Sequence, residues 1–268
     1  MTSQLLSVPF RASILAENDA GASLASGDAR EVFPLASVTK LFTAYSALIA
    51  IFRGLVTLSA PAPYPGVTLE HLLSHASGMT MGERRITRPP GTRRIYSNAG
   101  IEAAADMLEE ATGTEIGRWI EETIAEPLGL TSLTVEGSPA YSGYAHAEDL
   151  MLFARELSRP TLISAELLDL ATTVHFPHLD GIVPGYGNFR PCPWGIGAEI
   201  KGDKQAHWTA PSSSGKTFGH FGQSGSFLWV DPLSGERAVF LGEEPFGPWH
   251  HDNWSALNEE ILHAMRGQ

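Results

Sequence analysis

Strand-like segments at both ends of the chain, separated by helix-like segments, most constrain the fold. Residues 11–16 and 22–26 flank a turn-rich stretch whose composition is typical of a hairpin loop. Near the other end, four short apolar segments bounded by turns are also predicted to be strands. They are residues 195–200, 218–221, 226–231 and 237–241. We therefore expect one sheet built from the two chain ends, with a helical insertion between them.

Apolar residues in the intervening segments recur at helical spacing. One helix is predicted to begin near Ser37 and to run to about Phe52, with Gly54 at its C-terminal end. The other predicted helices are residues 99–112, capped by Ser97 or Asn98 and closed by Gly113; a helix capped by Thr114 and ended by Pro127; 147–157; 164–172; and 253–265.

Length and composition limit the classes of protein. The 268 residues suffice for one or two domains with a large core, and we predict a single domain. Its sheet subdomain is expected from residues 1–50 and 195–268, and its helical subdomain from 51–194. Because 18 Lys and Arg stand against 30 Asp and Glu, the net charge is −12, and phosphate backbones repel such a chain. We expect no nucleic-acid partner.

Membrane and export signals are weak in this sequence. The longest apolar stretch, around residues 42–52, is too short to span a bilayer, and the first residues lack the basic start of a signal peptide. Cys192 is the single cysteine, so no intrachain disulfide forms, which suits a reducing compartment. We expect no membrane partner and a cytoplasmic location, although the mature form of an exported protein would look the same.

The segment Ser37-Val38-Thr39-Lys40 places a serine and a lysine three residues apart at a helix start. Side chains at this spacing lie on one face of a helix. A serine hydroxyl is a poor nucleophile unless a neighbouring base takes its proton. A lysine serves as that base only when it is neutral, which burial and the positive helix N-terminus favour. In isolation, the same pattern is more often a solvated helix start.

Two further segments carry polar groups that could face the same site. In Tyr96-Ser97-Asn98, residues two apart point the same way in an extended turn, so the tyrosine could relay protons and the asparagine could hold a polar substrate group. In His220-Phe221-Gly222, the glycine allows a strand to pass close to a ligand. The backbone N–H groups of Gln223 and Ser37 could then form an oxyanion hole.

The order and surroundings of these motifs resemble the serine β-lactamase-like superfamily, in the branch of class C β-lactamases, D-alanyl-D-alanine carboxypeptidases and family VIII esterases. Residues 33–40, FPLASVTK, are similar to the family's F-x-x-A-S-x-T-K. Residues 68–79, TLEHLLSHASGM, resemble T-x-x-x-L-L-S-H-T-S-G-L, and residues 90–100 resemble P-G-x-x-x-x-Y-S-N-x-G. Pro127-Leu128-Gly129-Leu130 is similar to P-L-G-M.

The resemblance implies an α/β (α+β) fold, in which an antiparallel sheet is flanked by helices and joined by an all-helical region. It implies Ser37 as an acylated nucleophile, Lys40 and Tyr96 as base and proton relay, and Asn98 and His220 as substrate-side polar groups. Gly222 and Gln223 would complete the substrate-binding edge. We expect no cofactor and no metal, and a small ester, amide or peptide as substrate.

A departure from the family pattern bears on the substrate. The third motif carries histidine, His220, where a lysine is common, and histidine is mostly neutral at pH 7. A charged contact to a β-lactam carboxylate is therefore weakened, and an esterase is the first prediction. A D-amino-acid peptidase, a β-lactamase and an acyl transferase remain open, as does a non-catalytic binding protein on the same fold.

Other motifs give weaker alternatives. Residues 210–217 nearly spell a phosphate-binding loop, but the first glycine is replaced and a strand follows where a helix belongs. Lys216 could replace His220 in the third motif, although the glycine is lacking. His71 and His75 have the spacing of metal ligands on a helix. Cys192 lies between two prolines and is interpreted as a packing residue.

Overall fold

The structure is a computed structural model that describes residues 7–267. Its strands are β1 (Ala12–Glu17), β2 (Ser23–Ser26), β3 (Val32–Pro34), β4 (Thr134–Val135), β5 (Gly143–His146), β6 (Gly181–Val183), β7 (Gly187–Phe189), β8 (Glu199–Ile200), β9 (Phe218–Gly222), β10 (Ser226–Asp231) and β11 (Glu236–Gly242). Its helices are α1 (Thr39–Phe52), α2 (Leu69–Leu73), α3 (Asn98–Thr112), α4 (Ile116–Ile120), α5 (Glu126–Leu128), α6 (Ala147–Glu156), α7 (Ala165–Ala171) and α8 (Pro248–Arg266).

The main sheet joins the two ends of the chain, as the sequence predicts. Its six antiparallel strands lie in the order β2-β1-β11-β10-β9-β8. Strand β1 pairs with β11 along its whole length, and the last pair opposes Glu17 and Arg237. The Arg237 Nε donates to the Glu17 carboxylate at 2.7 Å, so this cross-strand pair of opposite charges supports the register. The predicted fold class is confirmed; the subdomain boundaries stay a prediction.

The sheet separates two apolar cores because successive side chains of a strand point to opposite faces. On β10, Phe227 and Trp229 pack with helix α8, whereas Leu228 and Val230 join the larger core around α1. Helix α1 is buried from Thr39 to Ala50. A helix covered on every side belongs in the interior, so α1 brings the lysine of the S-x-x-K motif into the core. Among the described residues, no helix is both long and apolar enough to cross a lipid bilayer.

The sequence places several element ends wrongly, and each error has a local cause. Pro127 does not end its helix: α4 continues through a π turn, 121–125, into α5, where the proline occupies the first turn and needs no N–H donor. The chain leaves the helix at Gly129, whose φ is +69°. The cap of α4 is Glu115 and not Thr114, since the Glu115 side chain accepts the Arg118 amide.

Two further corrections concern the C-terminal half. The strand predicted at 195–200 is limited to Glu199–Ile200, because the Ile196 amide donates to Ala171 and the Gly197 amide donates to Leu73. A Cβ on Gly197 would overlap the Ala44 side chain, so this segment lies directly on α1. Helix α8 begins at Pro248, five residues before the predicted start, because proline suits the first helical position. In the N-terminal half, the sequence patterns do not predict helix α2.

Candidate active site

Ser37 lies in a 3-10 turn, Ala36–Val38, between β3 and α1. The turn begins at Ala36 with φ of +43°, a conformation that residues other than glycine rarely adopt. It is held from both sides: the Thr39 hydroxyl donates to the Ala36 carbonyl at 2.6 Å, and the Ser226 hydroxyl donates to the Leu35 carbonyl at 2.8 Å. These contacts fix the serine at the start of the buried helix.

Lys40 lies one turn later and is fully buried. Its Nζ is 3.0 Å from Ser37 Oγ, 2.7 Å from Asn98 Oδ1 and 2.8 Å from the Ala140 carbonyl oxygen. The last two oxygens only accept hydrogen bonds. A neutral amine has two hydrogens and one lone pair, so both hydrogens go to these oxygens and the lone pair faces the Ser37 hydroxyl.

The protonation states of the site agree with this arrangement. Burial holds the pKa of Lys40 well below its ordinary value of 10.5, with Glu102 opposing the shift. Burial also raises the pKa of the Tyr96 phenol, which therefore stays protonated. The Tyr96 hydroxyl donates to Ser37 Oγ at 2.7 Å, and Lys40 Nζ lies 4.8 Å from the centre of the tyrosine ring. Ser37 is thus placed between a proton acceptor and a proton donor.

The substrate-side residues gather at the same place. Asn98 contributes its oxygen to Lys40, so its NH₂ group is the part that can donate to a substrate. His220 donates from Nδ1 to the Phe221 carbonyl at 2.6 Å, and its Nε2 lies 3.5 Å from the Tyr96 hydroxyl. Burial lowers the pKa of His220 to about 3. His220 is therefore a neutral group at pH 7.

Gly222 and Gln223 bring the end of β9 against the nucleophile turn. A Cβ on Gly222 would overlap the Leu35 carbonyl oxygen and lie 2.5 Å from Ser226 Oγ, so a side chain does not fit there. Among the turns, loops and caps of residues 7–267, neither the Ser37 amide nor the Gln223 amide donates to another backbone group. Two unpaired backbone N–H groups beside a serine can act as an oxyanion hole.

A cavity of about 310 Å³ opens onto Ser37. Its inner wall is formed by buried residues such as Val183, Trp194 and Phe221, and its mouth by Met81 and Tyr141, whose side chains are about half exposed (54% and 49%). No Lys or Arg is among the lining residues. The lining residues are Ala36, Ser37, Met81, Tyr96, Asn98, Tyr141, Val183, Pro184, Trp194, Glu199, His220, Phe221 and Gln223.

Sequence reasoning missed two parts of the site. The Ala140 carbonyl that binds Lys40 has no sequence signature, because every residue carries the same group. Glu199 is a buried carboxylate on the cavity wall, and it is neutralised by Lys204 at 3.0 Å and bound by His207 Nε2 at 2.9 Å. The sequence feature that could have identified Glu199 is its place as a glutamate within the apolar segment 195–200, which is predicted to be a strand.

The weaker motifs have local roles. Ser214, in the loop that resembles a phosphate site, gives its N–H and hydroxyl to the Asp231 carboxylate, and strand β9 follows. Lys216 is exposed and is not among the residues that line the cavity. Cys192 is buried, which raises the pKa of its thiol to about 11. His71 caps helix α2 together with Thr68, whereas His75 binds the Ser97 amide.

The alternative that His71 and His75 bind a metal ion has no further support in the described chain. Across residues 7–267, no three His, Cys, Asp or Glu side chains are grouped as metal ligands.

Known proteins share this fold and sequence pattern. The sequence model of the Beta-lactamase family matches residues 18–255. The chain belongs to the Beta-lactamase family. The solved structure of a beta-lactamase from Mycobacterium bovis is 42% identical, has a TM-score of 0.93 and covers 96% of both chains. The resemblance seen in the motifs is therefore confirmed.

Curated proteins with partial sequence matches to this chain have names that denote different activities. Monacolin J acid methylbutanoyltransferase from Aspergillus terreus is 30% identical over 37% of this chain and 37% of its own. The D-alanyl-D-alanine-carboxypeptidase/endopeptidase AmpH from Escherichia coli is 27% identical over 40% of this chain and 38% of its own. Since these matches span well under half of the relatives, family membership leaves the reaction of this protein open among acyl transfer, peptidase and β-lactamase activities.

Proposed function

We propose that this protein is a serine hydrolase that forms an acyl-enzyme on Ser37 and acts on esters. The observation that carries the proposal is the position of Ser37 Oγ, 3.0 Å from a buried Lys40 Nζ and 2.7 Å from the Tyr96 hydroxyl. A non-catalytic protein on this fold would not need these three groups in contact, with Lys40 in no ion pair among residues 7–267. The support is geometric and electrostatic.

The proposed reaction has two stages. In the first, Lys40 Nζ takes the Ser37 proton while Oγ attacks the ester carbonyl carbon, and the oxyanion is stabilised by the Ser37 and Gln223 amides. The C–O bond to the alcohol then breaks, and the leaving oxygen takes the Tyr96 proton, which Lys40 replaces. In the second stage, Lys40 Nζ takes a proton from water while the water oxygen attacks the acyl carbon. The bond between the acyl carbon and Ser37 Oγ then breaks, and Oγ takes that proton back, which regenerates Ser37 and releases the acid.

The cavity favours an uncharged ester over a β-lactam. A β-lactam antibiotic carries a carboxylate, and burying a carboxylate without a partner is costly. His220 is neutral, because burial lowers its pKa to about 3, and no Lys or Arg lines the cavity. The volume of about 310 Å³ is at the small end of ligand pockets, which favours a short or medium acyl group.

Acyl transfer is the second candidate. An alcohol or amine would replace water in the second stage, and such an acceptor needs a surface beside Ser37. The half-exposed apolar side chains of Met81 and Tyr141 at the cavity mouth offer that surface. The acyltransferase among the relatives supports the same candidate. Adding acceptor alcohols to an ester assay and measuring the transfer product separates transfer from hydrolysis.

The test is direct. Purified protein is assayed with p-nitrophenyl butyrate, nitrocefin and a D-alanyl-D-alanine peptide, and a fluorophosphonate adduct is located by mass spectrometry. We expect ester turnover and an adduct on Ser37, and we expect Ser37→Ala to reduce kcat by about 10⁴–10⁶-fold, the loss typical of a missing nucleophile. Ester turnover that survives Ser37→Ala would refute the proposed function.

A further inference from the structure

His75 contacts the backbone on both sides of Tyr96. The Ile95 amide donates to the His75 carbonyl at 2.9 Å, and the Ser97 amide donates to His75 Nδ1 at 3.2 Å. One residue thus binds the amides of the two residues that flank the tyrosine. The position of the Tyr96 backbone is therefore set by the main chain and the side chain of His75 together.

The ring of His75 also contacts the tyrosine ring. Their centres are 4.6 Å apart, and the Trp194 ring meets His75 edge-on at 5.0 Å. His75 is completely buried, so its ring fills space that solvent does not reach. The phenol that donates to Ser37 is consequently packed against a rigid neighbour.

Two features of His75 do not fit a role in packing alone. Its φ is +57°, in the left-handed region, where histidine and asparagine are tolerated better than most residues. Since Nδ1 accepts a hydrogen bond, the ring hydrogen lies on Nε2, and Nε2 is buried without a partner among residues 7–267. An apolar side chain would fill the same volume without an unpaired N–H. Unlike an apolar side chain, histidine supplies a hydrogen-bond acceptor, Nδ1, for the Ser97 amide.

We propose that His75 is a positioning residue, which holds the Tyr96 hydroxyl at its distance from Ser37 by binding the amides of Ile95 and Ser97 and packing on the phenol ring. The inference rests on the proposed function, because it assigns His75 to the proton relay of that reaction. Proton transfer depends steeply on distance, and a displacement of about 1 Å can cost about 10²-fold in rate.

The test compares two substitutions that both tolerate the left-handed backbone. His75→Gly removes the ring and the acceptor, whereas His75→Asn keeps an oxygen acceptor near the Nδ1 position. The readout is kcat/KM for ethyl butyrate, an ester whose leaving alcohol needs the Tyr96 proton, with the active sites counted by fluorophosphonate labelling of Ser37. We expect His75→Gly to lower it by about 10–100-fold and His75→Asn to remain within about fivefold of the wild type.

A second background separates positioning from structural damage. In Tyr96→Phe protein there is no hydroxyl to position, so His75→Gly should lower the rate less than about twofold there. His71→Gly is the matched control: His71 lies four residues earlier, caps helix α2 and packs on Phe176, so its loss should leave kcat/KM for ethyl butyrate unchanged. If His75→Gly does not fold by circular dichroism, His75→Asn carries the test in both backgrounds, and a loss of more than about tenfold that is equal in the two backgrounds would overturn the inference.

Three results would overturn the inference: hydrolysis of ethyl butyrate by His75→Gly at the wild-type kcat/KM, an equal loss in the Tyr96→Phe background, or the same loss in His71→Gly. These results leave the proposed function intact. A wild-type protein that is not labelled on Ser37 would instead overturn the proposed function and this inference with it.

Discussion

Lys40→Met should change how the free energy of unfolding depends on pH, and the change reports the charge of Lys40. Burial holds the pKa of Lys40 well below 10.5 in the folded protein, whereas in the unfolded chain it returns to about its ordinary value. Between these two pKa values the unfolded state binds one more proton than the folded state, so the wild-type free energy of unfolding rises with pH.

The slope for one proton is about 1.4 kcal/mol per pH unit. Methionine resembles lysine in length and does not titrate, so Lys40→Met lacks this contribution. We therefore expect the free energy of unfolding of the variant to exceed that of the wild type by the largest amount at low pH. The difference in unfolding free energy, variant minus wild type, should fall by about 1.4 kcal/mol for each pH unit between the folded and the unfolded pKa of Lys40, and level off above the unfolded pKa.

Urea unfolding followed by tryptophan fluorescence at half-unit steps from pH 7 to 9.5 measures this difference. Lys216→Met controls for the loss of one lysine, because Lys216 is exposed and is not among the cavity residues. Parallel curves for wild type and Lys40→Met over this range would mean that Lys40 keeps its proton in the folded protein. That result would refute its assignment as the base.

Three further predictions concern activity. Lys40→Ala and Tyr96→Phe should each lower kcat/KM for an ester by about 10²–10⁴-fold. The double variant should be little worse than either, since both residues transfer protons in the reaction of Ser37. Lys40→Arg should be nearly as damaging as Lys40→Ala, because a guanidinium does not accept the proton. Additive losses, or an active Lys40→Arg, would contradict a shared relay. Gly222→Ala should lower kcat by about 10²–10³-fold, as for loss of an oxyanion-hole donor, because the added methyl group displaces the end of β9 from Leu35. Gly82→Ala, where the methyl group meets open space, should match the wild type. Equal effects of the two substitutions would count against the oxyanion hole. Nitrocefin should be turned over more slowly than p-nitrophenyl butyrate, and a higher kcat/KM for nitrocefin would reverse the preference for esters.

Local patterns in the sequence were enough to predict the order of the main strands and helices. The short apolar run in residues 226–231, bounded by turns, predicts a strand, and the structure buries its successive side chains on opposite faces of β10. Ser97 and Gly113 mark the ends of α3 because capping depends on neighbouring backbone groups alone. The S-x-x-K spacing likewise sets the contact between Ser37 and Lys40 through one helical turn.

Only the tertiary structure decided the chemistry of the site, because its controlling contacts join residues distant in the chain. The low pKa of Lys40 comes from burial, and its hydrogens are taken by Asn98 and Ala140, which lie 58 and 100 residues away. The same holds for His75, whose φ of +57° and bond to the Ser97 amide depend on packing across the chain. Residue spacing sets which groups can meet locally, but the charge of a group depends on everything that excludes water from it.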